Sequence, residues 1–88
     1  MAKLRRVSDG AGDEGASSLA LKWDKDKNKV EIEGNRPILG CSMQVGSVSA
    51  RSYAKQDWWL TTEIIEILID EPNYVKFKTL NSIYEWWR

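Results

Sequence analysis

Residues 19–33 leave the chain few choices. Leu19, Leu21 and Trp23 alternate with Ala20 and Lys22, and Val30 and Ile32 alternate with Glu31 and Glu33. A period of two is the signature of a strand with one apolar face. The intervening Asp24-Lys25-Asp26-Lys27-Asn28-Lys29 is polar and rich in turn formers. A turn centred on Asp26-Lys27 sets Trp23 opposite Val30 and Leu21 opposite Ile32 on one face. The same register sets Lys22 opposite Glu31 on the other. Packing and charge agree, and a slip of one residue would invert every side chain, so the hairpin has one preferred register.

Further short strands follow. Gly34-Asn35-Arg36-Pro37 breaks the pattern, because Pro37 has no N–H to give a central strand. Ile38-Leu39-Gly40-Cys41 is apolar but irregular. Met43, Val45 and Val48 resume alternation, and Gly46 among them suggests a bulge or a close backbone approach. Residues 57–70 admit two readings. Thr62 would cap a helix, Ile64, Ile65, Ile67 and Leu68 have helical spacing, and Pro72 would stop it. Strand is favoured, because the run is dense in β-branched and aromatic residues, and Ile65, Ile67 and Ile69 alternate. The last hairpin runs through Tyr74-Val75-Lys76-Phe77-Lys78-Thr79 and Tyr84-Glu85-Trp86-Trp87-Arg88. With Asn81-Ser82 at the turn, where Asn81 tolerates a left-handed backbone, Phe77 faces Trp86 and Thr79 faces Tyr84 inside. Lys78 then faces Glu85 and Lys76 faces Trp87 outside.

The start differs in composition. Residues 1–18 hold three of the six glycines and almost no large apolar side chain. Such a segment buries too little to offset its ordering entropy, which predicts a disordered arm over 1–18 and one folded domain over 19–88. No apolar run follows Lys3, Arg5 and Arg6, so a signal peptide is not expected. The longest apolar cluster, Ile64-Ile65-Glu66-Ile67-Leu68-Ile69, is interrupted by Glu66 and falls short of the ~20 residues of a spanning helix. The expectation is a cytoplasmic protein with a reduced Cys41.

The strand order resembles the SH3-like small β-barrels, and among them the Tudor-type domains. The carrying residues are Val45-Gly46-Ser47-Val48-Ser49-Ala50-Arg51, Asp57-Trp58-Trp59, Glu63-Ile64-Ile65-Glu66-Ile67, Val75-Lys76-Phe77 and Asn81-Ser82-Ile83-Tyr84-Glu85-Trp86. The likeness spans residues 45–88. It implies an all-β fold, a small barrel to which an N-terminal β-hairpin is added. The family's usual closing strand is missing after the last hairpin, so the N-terminal hairpin would have to supply that edge. Tudor-type domains often read methylated Lys or Arg in an aromatic cage, for which Tyr53, Trp58, Trp59, Tyr84 and Trp86 are the candidates. The plainer reading is that Trp23, Trp59, Tyr84 and Trp86 fill the core.

Chemistry is constrained by what is missing. The chain has no His and one Cys, which removes Ser-His-Asp and Cys-His nucleophiles and the usual zinc ligand sets. The close carboxylate pairs, Glu63 with Glu66 and Asp70 with Glu71, read as strand and turn solvation. The expectation is a protein that is not an enzyme and needs no metal or cofactor. The 13 basic and 13 acidic residues cancel, which argues against a phosphate-tracking surface and leaves nucleic acid as the lesser alternative. Five Trp exceed what a small core readily hides. One of each adjacent pair in a strand must face outward, and exposed Trp is enriched at binding hot spots. The binding candidates are Tyr53, Trp58, Trp59, Lys76, Leu80, Ile83 and Trp87. They suit a protein partner or self-association, as in an accessory subunit or a phage or mobile-element protein that inhibits a host enzyme by masking its surface.

Overall fold

The alternating segments become strands as far as they are described; Val48 lies outside the described residues. A computed structural model describes residues 2–47 and 57–88. Its strands are β1 (Ala2–Arg6), β2 (Gly12–Gly15), β3 (Ser17–Asp24), β4 (Lys29–Gly34), β5 (Ser42–Ser47), β6 (Asp57–Leu60), β7 (Ile64–Glu71), β8 (Tyr74–Thr79) and β9 (Ile83–Trp87). They form a five-stranded sheet in the order β2-β1-β9-β8-β7 and a four-stranded sheet in the order β4-β3-β5-β6. Every pairing is antiparallel. The fold is all-β and barrel-like. No helix of the described residues is long and apolar enough to cross a membrane.

Two corners join the sheets. The chain bends at Ala16 and passes from β2 in one sheet to β3 in the other. At the second corner Ile64 N–H donates to the Cys41 carbonyl (2.8 Å) and Gly40 N–H donates to that of Ile64 (2.9 Å). Thr61, buried between β6 and β7, holds this corner. Its Oγ1 accepts from Met43 N–H (2.9 Å) and donates to the Thr62 carbonyl (2.8 Å), so its hydroxyl is fully satisfied. Between the sheets lie Leu4, Ala20, Met43, Val45, Ile64, Val75, Phe77, Tyr84 and Trp86, with Trp59 packed against them.

The first hairpin has the expected register: Leu21 opposite Ile32, Lys22 opposite Glu31, Trp23 opposite Val30. A left-handed residue does occur in its turn, at Asn28 (φ 52°). Residues 62–70 contain strand, not helix, yet their alternation is broken. β7 carries two register shifts against β8, between Ile64 and Glu66 and between Ile67 and Ile69. Ile64 and Ile67 therefore turn inward, and Ile65, Leu68 and Ile69 are left exposed. β7 is an edge of its sheet, and bulges that bend an edge discourage further strands from pairing with it.

Two expectations need correction. The start of the chain is not an unordered arm over 1–18. β1 pairs with β2 on one side and β9 on the other, and Leu4, opposite Trp86, is completely buried. The edge beside the last hairpin is thus supplied by β1, not by the hairpin of residues 19–33. A single Leu carries this strand, because the apolar surface it needs is provided by β9. The second correction is the C-terminal register. Phe77 lies opposite Tyr84, Val75 opposite Trp86 and Lys76 opposite Glu85. Thr79 N–H donates to the Ser82 carbonyl (2.8 Å) and its Oγ1 accepts from Ser82 N–H (3.3 Å). The turn therefore centres on Leu80-Asn81. Closing the loop there satisfies a buried hydroxyl, which is costly to leave unpaired. Each partner changes by two residues, so Phe77 and Trp86 still face inward.

The loop from β1 to β2 is closed by charge. Arg6 donates from Nε and Nη2 to the two carboxylate oxygens of Asp9 (2.9 and 2.6 Å), and Ala11 N–H donates to Oδ1 (3.1 Å). The Arg6 bonds, then the Ala11 N–H, pull the Asp9 carboxyl down to about 2. A carboxyl with a lowered folded value stabilises above its unfolded value of about 4, and that stability is lost as pH falls through about 2. Urea unfolding midpoints from pH 5 to pH 2 should therefore fall less for Asp9→Asn than for the wild type. Parallel curves would show that the ion pair contributes nothing in solution.

Candidate interaction surface

Strand parity divides each sheet into an inner and an outer face, and the two outer faces differ in chemistry. Leu4, Trp86 and Val75 point inward from the five-stranded sheet, so their neighbours along each strand point out. Cross-strand rows on that outer face read Glu14, Lys3, Trp87, Tyr74, Glu71 and Gly12, Arg5, Glu85, Lys76, Ile69. The Lys3 ammonium lies 5.7 Å from the Trp87 ring centroid, and the Tyr74 ring lies 5.5 Å from it. Tyr74 Oη donates to Glu85 Oε2 (2.6 Å), and this bond foremost pushes the phenol up to about 12. This face is a lattice of alternating charges with aromatic rings between them.

The outer face of the four-stranded sheet is apolar. Ala20, Met43 and Val45 point inward, so Leu19, Leu21 and Trp23 of β3 point out. Val30 and Ile32 of β4 lie beside them, opposite Trp23 and Leu21. On the far side Trp58 and Leu60 of β6 lie beyond Gly46 and Gln44 of β5. Its paired positions otherwise hold Ser17, Ser42, Gln44 and Gly46, with no formal charge. Exposure reaches 52% at Trp23, 52% at Val30 and 66% at Ile32. Contiguous apolar surface of several hundred Å² on a small chain usually marks a contact.

The candidate residues divide between these surfaces. Trp58 is outward on the apolar face. Trp59 is its inward neighbour, with Nε1 donating to Tyr84 Oη (3.3 Å) and the Arg6 guanidinium 5.2 Å from its ring. Trp87 is outward, as expected, but is flanked by Lys3 and Tyr74; Lys76 lies opposite Glu85 instead. Leu80 is exposed at the hairpin tip and Ile83 near it. Trp87 is at the other end of β9, about 13 Å away along the strand, so these three do not form one apolar patch. Tyr53 lies outside the described residues. Tyr84 and Trp86 are core residues, and Trp58 and Trp59 point to opposite faces of β6, so these four cage candidates share no common opening. Trp23, assigned to the core by sequence, is exposed.

Sequence reasoning missed the exposure of Trp23, Val30, Ile32 and Leu60. It grouped Leu21, Trp23, Val30 and Ile32 on one face correctly. No signal within the hairpin shows that the opposite face, through Ala20, is the one that meets the core.

Two other features were candidates. A slot of about 240 Å³ is lined by Ala2, Ala16, Ser18, Asn35, Trp86 and Arg88. In it Trp86 Nε1 donates to Ser18 Oγ (3.1 Å), and the Arg36 and Arg88 guanidinium carbons lie 5.8 and 5.5 Å from the indole. These contacts seal one end of the core. The Cys41 thiol is buried, and burial foremost raises its pKa, so little of it is thiolate at neutral pH. Comparison with protein-family models, with curated proteins and with solved structures yields no match.

Proposed function

We propose that the chain is a non-enzymatic binding module that acts by protein–protein contact through the outer face of its four-stranded sheet. The observation that carries this is the uncharged apolar surface from Ile32 through Leu21 and Leu19 to Leu60 and Trp58. A module of this kind acts by covering another surface, as an accessory subunit or a masking inhibitor does. The SH3-like, Tudor-type kinship belongs to the same proposal, supported by the two antiparallel sheets around one core.

The test compares baits. Wild type, Ile32→Glu and Lys78→Gln are immobilised and challenged with host lysate at several salt concentrations. A protein retained by wild type and Lys78→Gln but lost by Ile32→Glu is the expected result, with at least a tenfold loss of affinity as for a hot-spot change. Retention of nucleic acid that falls steeply with salt would favour the nucleic-acid alternative instead.

A further inference from the structure

We infer that the occupant of the apolar outer face is a second copy of this chain, packed sheet against sheet about a two-fold axis. The inference rests on the reading of that face as a contact surface. Three observations favour a copy over an unrelated partner.

The first is electrostatic. The face has no formal charge, so a strongly acidic or basic partner has nothing on it to pair with. The whole chain carries 13 basic and 13 acidic residues, so two copies approach without net repulsion. The rim is self-complementary as well. The β3–β4 turn holds Asp24, Lys25, Asp26, Lys27 and Lys29 in close succession. A two-fold axis brings a patch lying on it against its own equivalent, and a turn bearing both signs placed there can pair with itself.

The second is relief. Leu19 and Leu21 of β3 and Leu60 and Trp58 of β6 flank a row on β5 in which Ser42 and Gly46 are small. Trp23 and Trp58 stand at opposite ends of the face, since Trp23 lies at the C-terminal end of β3 and Trp58 is two pairings from Ser17 at its start. Faces of this kind interdigitate in sheet-on-sheet packing with strands roughly 30° apart.

The third is area. The apolar side chains of the face expose on the order of 400–600 Å². Two copies would bury roughly 1,000 Å² in total, at the lower limit for a specific interface. An interface at that limit is expected to be weak, so the equilibrium is sought over a wide range of concentration.

Sedimentation velocity of the full chain from about 1 to 500 μM tests this. The expected result is a reversible monomer–dimer equilibrium for the wild type and for Lys78→Gln. Ile32→Glu should raise Kd tenfold or more. Ile32 is exposed on an edge strand, so its far-ultraviolet circular dichroism and melting temperature should match the wild type. If that variant misfolds, Trp23→Ser supplies the same comparison from β3. A wild type that stays monomeric throughout the range overturns the second copy as occupant. The contact reading survives that result if the bait comparison still finds a partner sensitive to Ile32→Glu. A dimer unaffected by both substitutions overturns the face-to-face arrangement. If the bait comparison is insensitive to Ile32→Glu as well, the contact reading falls with it.

Discussion

Trp86→Ala should lower stability by about 3–5 kcal/mol, the usual cost of truncating a large buried ring. A chain of this size has a total of roughly 5–13 kcal/mol to lose, so much of the sample should be unfolded well below the wild-type melting temperature. The ring has no exposed surface, meets Leu4 and Val75 across its two neighbouring strands, and bonds Ser18 of the other sheet. Its loss opens a cavity where the two sheets meet. Trp87→Ala is the control. That ring lies half-buried outside, between Lys3 and Tyr74, and its removal should cost about 1 kcal/mol. Urea unfolding of both variants decides the matter. If Trp87→Ala were the more damaging, the inward and outward faces of β9 would be exchanged and both outer faces misassigned.

Removing residues 1–16 should unfold the chain or leave a loosely packed, dye-binding state. Leu4→Ala alone should cost about 2–5 kcal/mol, the range for a buried Leu. The deletion goes further, because it strips the β1 partner from β9 and exposes Trp86 along a new edge. Hydrogen exchange gives a second view. Amides of β9 that bond to β1 should be protected in the full chain nearly as well as those that bond to β8. A truncated chain whose urea midpoint matches that of the full chain would show the first strands to be dispensable.

Local pattern made much of this protein legible. Alternation and opposed charges specified the register of the β3–β4 hairpin from Leu21 to Trp23, since only one register satisfies both, though not the shift before Leu21 that sets Ala20 opposite Gly34. The density of β-branched and aromatic residues correctly favoured strand over helix across residues 57–70, which the structure divides between β6 and β7. Inward Phe77 and Trp86 also followed from alternation, and survived a misplaced turn because a two-residue change of partner keeps the same face.

What alternation cannot say is which face of a two-faced element meets the core. Trp23, Val30 and Ile32 form the more apolar side of their hairpin, yet Ala20 is the residue pressed against Met43 and Val45. The choice was made by the width of the gap between the sheets. The large rings of Trp86, Phe77 and Tyr84 occupy that gap from the five-stranded side. On β3 the small Ala20 fits opposite them, while Trp59 of β6 packs at the margin of the core. Nor does composition reveal β1, whose one large apolar residue becomes buried only because β9 arrives from the far end of the chain to cover it. Both decisions depend on contacts between residues distant in sequence, so they belong to the tertiary structure. Together they leave an apolar sheet face open on one side of the molecule and a charged one on the other.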